Sequence, residues 1–251
     1  GTLDPLACGV LPVMVNKGTK LFDFYLNKDK TYRAIFTFGL ETDTLDSEGK
    51  IVKTSNKIPS IDEINLAINS VIGEIDQIPP AYSAKNINGI RAYNLARKGN
   101  EVNLKPKRVK INYFKLITQI NFNSFLFEIN CSSGTYIRSL ARDLGVLTKS
   151  CAYMSALIRT DSGNFNILNS TSVKDLTKEN FSDKLIKLDD LLNMLNRIDL
   201  NASYYKQITN GMSVRVKIEN SKLNVVYCKN QLIGIGEVSN YILKIKTNLQ
   251  S

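Results

Sequence analysis

The stretch KTYRAIFTFG, residues 30–39, alternates: Tyr32, Ala34, Phe36 and Phe38 share one face, and Arg33, Ile35 and Thr37 share the other. A period of two is that of a β-strand and not of a helix, so these residues belong in a sheet. The acidic stretch LETDTLDSEGK that follows reads as a loop.

Other segments fill in the elements around that strand. Ser60 is placed to cap a helix over IDEINLAINSVIG, with Asp62 and Glu63 in the first turn. Ile61, Ile64, Ile68, Val71 and Ile72 would form its apolar stripe, and Gly73 its stop. RVKINYFKLITQINF and FLFEINC read as strands. CSSGTYIRSLARDLG begins as a turn and becomes a helix whose inner face carries Ile137, Leu140, Ala141 and Leu144. SALIRTDSGNF reads as extended, and SDKLIKLDDLLNML as helical. From residue 199 onward only short strands and turns remain, which predicts a small β domain over 199–251 after a first domain over 1–198. The fold class expected is α+β: a mixed, largely antiparallel sheet flanked by helices, with that small β domain at the C-terminus.

Composition then limits the chemistry. The 251 residues contain no histidine, which excludes Ser-His-Asp and Cys-His triads and zinc sites of the HExxH type. Cys8, Cys131, Cys151 and Cys228 form no CxxC pair, so no metal is expected, and their scatter suits a reducing cytosol. No nucleotide-binding glycine motif follows a strand, and no cofactor is expected. No apolar run reaches membrane-spanning length. A formal charge of +10 favours an anionic partner such as nucleic acid.

Three residues draw notice within these limits. Asp4 lies in GTLDPLACGVLP; alone it reads as the head of a turn with Pro5 behind it, but a rigidly held carboxylate is also a nucleophile or ion-pair partner. Arg138 follows Gly134 in SSGTYIRSL and is either a surface arginine or a bidentate partner for a carboxylate. Tyr32 begins the alternating strand and reads by itself as a core or edge aromatic.

GTLDPLACGVLP, KTYRAIFTFGLETDTLDSEG, PPAYSAKNINGIRAYNLARKG, CSSGTYIRSLARDLG and ALIRTDSGNF occur in that order. Together they resemble the bacterial TruB family of tRNA pseudouridine synthases, strongly from residue 1 to about 165. ITNGMSV and LIGIGEV are more weakly similar to a PUA-type RNA-binding domain. The resemblance implies that Asp4 is the essential aspartate, Tyr32 the tyrosine lying against the target base, and Arg138 the arginine paired with the aspartate. It implies a pocket completed by Asp46, which shares that arginine, by Leu157 and by Tyr136. It also implies a thumb over about 77–99 that clamps RNA, with Tyr82, Lys85, Arg91 and Arg97 as contacts, and Lys20 as a further basic residue near the RNA. A cleft across the sheet would bring Asp4, Tyr32, Asp46 and Arg138 together.

The implied reaction converts uridine 55 of the T arm of tRNA to pseudouridine. The N1–ribose bond breaks, the base turns, and C5 joins the same ribose carbon with loss of its proton. Asp4 would act as nucleophile or as base on a flipped-out uridine, and Tyr32 as a proton acceptor at C5. The partner expected is the tRNA T stem-loop, without guide RNA or membrane, bound by a cytoplasmic monomer. The alternatives are a non-catalytic RNA-binding or tRNA-folding protein on the same scaffold, a guide-dependent relative, and a glycosidase pairing Asp4 with Asp43 or Asp46. Two departures stand out. Asn86 occupies a position where the family often has lysine, with Lys85 one place earlier. Family members also carry a first strand and a Gly-His pair ahead of the GT, so one wall of the site is expected to lie in that segment.

Overall fold

The computed structural model describes residues 2–83, 86–87, 90–91, 93 and 104–250, with the backbone alone at 86–87 and 90–91. It divides into two compact units: residues 1–12 with 26–170, and residues 13–25 with 171–251.

The first unit is built on one sheet. In chain order its strands and the short strands beside it are β1 (Cys8–Gly9), β2 (Lys30–Phe38), β3 (Leu40–Thr42), β4 (Ile51–Thr54), β5 (Gly73–Gln77), β6 (Asn86–Ile87), β7 (Ile90–Arg91), β8 (Lys107–Gln119), β9 (Ser124–Cys131), β10 (Ala152–Ser162) and β11 (Phe165–Asn166). The main sheet runs β1-β10-β2-β9-β8-β5, with β11 on β10. Only β1 is parallel to its neighbour; the other pairings are antiparallel. The sheet is therefore mixed and largely antiparallel, as expected. β3 and β4 form a hairpin around the acidic loop, and β6 pairs with β7.

β2 occupies the centre of this sheet. Tyr32, Ala34, Phe36 and Phe38 are all buried, while Arg33 on the other face is exposed and paired with Glu128 at 3.3 Å. Phe36, Phe114 and Phe127 meet edge-on or tilted, as do Phe38 and Phe125, with ring centroids 4.8–6.1 Å apart. Two helices pack their apolar residues into the same core. The first, Ile61–Asn69, begins with a capping box: Ser60 accepts from the Glu63 N–H, and the Glu63 carboxylate accepts from the Ser60 N–H. It buries Ile64, Ala67 and Ile68. The predicted stripe is too wide, however. The helix ends before Val71, and Ile61 and Ile72 remain 46% and 42% exposed. Gly73, expected as the stop, begins β5 instead.

The second helix, Ile137–Leu147, buries Ile137, Leu140, Ala141 and Leu144, the four residues its periodicity selects. Gly145 within it lets β10 approach, since a Cβ there would lie 2.6 Å from the Ala152 nitrogen.

The second unit carries a five-stranded sheet of β12 (Asn196–Leu200), β13 (Val214–Arg215), β14 (Ser221–Cys228), β15 (Gln231–Ser239) and β16 (Ile242–Asn248), in the order β12-β14-β15-β16-β13. The expected division at 199 thus runs through β12, and residues 13–25 join this unit. Lys17 Nζ donates to the Gln250 carbonyl at 2.8 Å, and the Tyr25 hydroxyl to the Leu191 carbonyl at 2.9 Å. The stretch predicted to be helical over 182–195 is only a 3-10 turn, Ser182–Lys184, and a five-residue helix, Leu188–Leu192. Among the described residues, no helix is long and apolar enough to cross a membrane.

Candidate active site

The opening loop and the centre of the sheet frame a cleft of about 260 Å³. It falls just below the usual 300–1,000 Å³ of ligand pockets, a size suited to one base rather than a large ligand. Its lining includes Asp4, Lys30, Tyr32, Ser83, Arg138 and Leu157, with Tyr136 and Arg159 beside them. A hollow of about 400 Å³ between the two helices is larger. Its one carboxylate, Glu63, is already committed to Lys57 and to the helix cap.

Asp4 reaches the cleft from a tight turn. The Ala7 N–H donates to the Asp4 carbonyl at 2.9 Å, and Pro5 and Leu6 form the corner. The loop is anchored where β1 lies against β10. Gly9 adopts φ +110 there, and a Cβ on it would stand 2.2 Å from the Arg159 carbonyl oxygen. Only glycine combines that conformation with that approach.

Arg138 is the hub. Its Nε lies 2.9 Å from Asp4 Oδ2, and its Nη1 lies 3.2 Å from Asp46 Oδ2. The arginine and Asp46 side chains are only 6% and 5% exposed, whereas Asp4 is 39% exposed. Nη1 also donates to the Thr44 carbonyl at 3.0 Å, and Nη2 to the Tyr82 carbonyl at 3.1 Å. The contact with Asp4 is an ion pair and not an aligned hydrogen bond, since the Nε–H points at no acceptor. Asp46 is fully committed: its Oδ1 accepts from the Thr44 hydroxyl at 2.5 Å and from the Glu48 N–H at 3.1 Å. The loop holding it is pinned to the sheet by the Met154 N–H, which donates to the Leu45 carbonyl at 3.0 Å. Asp46 thus holds the arginine, while Asp4 is the carboxylate that faces the open cleft.

Tyr32 stands across from Arg159 in the β2–β10 register. Burial, above all, pushes its phenol up to about 12, with the Arg159 guanidinium acting in the opposite sense by charge and by hydrogen bonding. In the neutral range Tyr32 is therefore an uncharged ring with an O–H. A proton-acceptor role would draw on the phenolate, which that shift makes scarce.

The structure thus gathers Asp4, Tyr32, Asp46, Tyr136, Arg138 and Leu157 around one cleft. Tyr82 contributes its carbonyl to the arginine. Lys20 is an exposed residue of the 3-10 turn Asn16–Leu21 in the second unit. Lys85 and Arg97 lie outside the described residues, as does the Arg91 side chain, although its backbone forms β7.

Several participants were not singled out from the sequence. Arg159 is fully buried, with its Nε donating to the Val10 carbonyl at 2.7 Å. Lys30 is buried too, donating from Nζ to the Leu26 carbonyl at 2.9 Å and the Lys28 carbonyl at 2.5 Å. Burial and then the Arg159 cation lower its pKa. Each stands two residues from a recognised site residue on the same strand, so strand alternation places Lys30 with Tyr32 and Arg159 with Leu157. Ser83 is buried, and its hydroxyl finds no hydrogen-bond partner among the described residues. Among the described residues no three His, Cys, Asp or Glu side chains converge as metal ligands would.

The chain is similar to known proteins both in sequence and in fold. The family model for the N-terminal domain of TruB family pseudouridylate synthases matches residues 1–137. A protein named tRNA pseudouridine synthase B from Clostridium tetani is 40% identical over 252 residues, covering 98% of this chain and 86% of that protein. A protein of the same name from Borrelia garinii subsp. bavariensis is 41% identical over 227 residues, covering 90% of this chain and 79% of its own. A crystal structure of a Cbf5-Nop10-Gar1 complex matches with a TM-score of 0.71 at 22% identity, over 100% of this chain and 75% of the matched one. An H/ACA ribonucleoprotein bound to a substrate RNA containing 2'-deoxyuridine matches at 0.69 and 20% identity, with the same shares covered. At these identities the structures show the fold alone, shared over the whole of this chain. With its first 137 residues matched by the family model and relatives near 40% identity aligned along almost its whole length, the chain belongs to the TruB family of pseudouridylate synthases.

Proposed function

We propose that this protein converts uridine 55 in the T arm of tRNA to pseudouridine and that Asp4 is the group that engages the ribose. The observation that carries this reading is the Asp4–Arg138 pair. A partly open carboxylate is oriented at 2.9 Å by a buried guanidinium, in a cleft floored by Tyr32 and Leu157. The relatives named tRNA pseudouridine synthase B support the choice of tRNA as substrate.

The reaction is an isomerisation. The N1–C1′ bond breaks, the base turns, a C5–C1′ bond forms, C5 loses its proton and N1 gains one. No electron is gained or lost overall, so no redox group is needed. Asp4 either attacks C1′ and carries the ribose while the base turns, or takes a ribose proton so that a glycal forms. Arg138 keeps the carboxylate aimed in both routes.

The target base has to leave its stack first, at a cost of a few kcal/mol. Stacking on an aromatic returns about 1–3 kcal/mol per base, so Tyr32 offsets much of that cost. The thumb over about 77–99 and the C-terminal unit supply phosphate contacts. The latter, which we assign as a PUA-like RNA-binding module, exposes Lys206, Arg215, Lys217, Lys222 and Lys244.

The test is release of hydrogen from C5-labelled uridine in a T-arm stem-loop, with pseudouridine identified in the product. Tight binding without hydrogen release would favour a non-catalytic RNA-binding role instead.

A further inference from the structure

Gln77, the last residue of β5, is 2% exposed and lines no part of the cleft. Its side-chain amide is spent on one residue, 59 positions away. The Tyr136 N–H donates to Gln77 Oε1 at 2.8 Å, and Gln77 Nε2 donates to the Tyr136 carbonyl at 3.1 Å. The two bonds fix the orientation of the amide, because a flipped amide would set donor against donor and acceptor against acceptor.

Tyr136 is the N-cap of the helix Ile137–Leu147, and no side chain caps the helix from that position. Gln77 instead grips the cap residue by its backbone, two residues before Arg138. The segment after Gln77 adds three more ties to the same helix. Ser139 Oγ and Arg142 Nη2 donate to the Ile78 carbonyl at 2.9 and 3.1 Å. Arg138 Nη2 donates to the Tyr82 carbonyl. The stretch 77–82 is therefore a brace along the helix end that presents the guanidinium, and Gln77 is its buried anchor.

We infer that Gln77 is a positioning residue for the reaction: by holding the Tyr136 backbone, it sets where Arg138 presents its guanidinium to Asp4 and Asp46. This rests on the reading of Asp4 and Arg138 as the reacting pair. Gln77 itself touches neither acid.

The inference is tested with Gln77→Leu and Gln77→Glu in the whole protein, measuring kcat, KM and stem-loop affinity across pH. Leucine keeps the volume and removes both hydrogen bonds. Misplacement of a catalytic group by about 1 Å costs about 10²-fold in rate, so kcat should fall by about that factor with affinity unchanged.

Glutamate supplies the discriminating readout. As the neutral acid it reproduces both bonds, its carbonyl accepting from the Tyr136 N–H and its hydroxyl donating to the Tyr136 carbonyl. As the carboxylate it cannot donate and sets a charge against that carbonyl. The kcat of Gln77→Glu relative to wild type should therefore approach unity at low pH and fall as pH rises through one ionisation. Asp76 on the same strand, Lys107 and Arg108 on β8, and Arg138 and Arg142 on the braced helix are charged groups common to both proteins. Taking the ratio isolates the new carboxyl.

A Gln77→Leu protein with wild-type kcat would overturn the inference. So would a Gln77→Glu ratio that is flat with pH, including a uniform loss that tracks thermal unfolding. Absence of turnover by the wild type would overturn the functional reading and this inference with it; an active wild type with unaffected variants overturns the inference alone.

Discussion

Arg138 and Asp46 form an ion pair from which solvent is excluded, whereas Arg138 and Asp4 form one that opens to the cleft. The two carboxylates lie 3.2 and 2.9 Å from nitrogens of the same guanidinium, yet 5% of the Asp46 side chain is exposed and 39% of Asp4. Equal proximity with unequal access sets them apart: Asp46 fixes the cation, and Asp4 faces the open cleft.

Asp46→Ala should therefore cost stability first. It leaves the buried arginine with one carboxylate, strips the Glu48 N–H of its acceptor, and leaves the Thr44 hydroxyl only the Asp46 carbonyl at 3.4 Å. Removing one member of a buried pair costs about 3–5 kcal/mol, measurable by urea unfolding. A loss under about 1 kcal/mol, the range of solvent-screened pairs, would mean that water already reaches this one.

Tyr32 should leave a signature at high pH. Its folded pKa is raised from 10.0 to about 12, so the stability that it contributes is fully present below pH 10 and is lost as pH rises through 12. Tyr32→Phe should remove that part of the alkaline loss, a difference of about 2–3 kcal/mol between pH 9 and pH 12. Wild-type and variant unfolding curves of identical alkaline slope would contradict the buried phenol.

Gly9→Ala should damage both stability and rate. The new Cβ meets backbone atoms of Arg159 and takes a left-handed φ, so neither neighbour can yield cheaply. The expected cost is about 2–5 kcal/mol, summing the conformational and overpacking penalties. Gly134 offers a contrast. Its φ of +83 carries a similar conformational penalty, but its Cβ would meet only the end of the Lys107 side chain, which can swing away. Gly134→Ala should therefore be the milder of the two by differential scanning calorimetry.

RNA affinity should fall steeply with salt. Neutralising Arg91 and Arg97 together should flatten that dependence by about one power of salt concentration for each phosphate that the pair neutralises. An unchanged slope in titrations of the stem-loop would remove these arginines from the interface.

How much of this was legible in the sequence follows from the range of the forces involved. β2 and the helix behind Ser60 were legible because alternation and a capping box act within a few residues. The same locality made the helical stripe too wide, since nothing in the sequence shows that β5 begins at Gly73. The meeting of Asp4, Asp46 and Arg138 spans most of the first unit, and no spacing rule brings them together. Only the resemblance carried by five ordered motifs pointed to it. Gln77 looked like the entrance to a loop because its partner lies 59 residues away. Arg159 and Lys30 were not singled out, although each shares its strand face with a recognised site residue. The placement of 13–25 with the C-terminal unit rests on contacts such as Lys17 with Gln250, which no local pattern announces.

On the proposed reading, the Asp4 carboxylate does the chemistry while other groups hold the RNA. Asp4→Asn keeps size and polarity and removes only the charge. Its most direct measurement is the rate of hydrogen release from C5-labelled uridine in a T-arm stem-loop, taken beside the affinity for the same RNA. We predict that the variant releases no hydrogen above background while binding close to wild-type affinity. Wild-type release by Asp4→Asn would remove Asp4 from the mechanism.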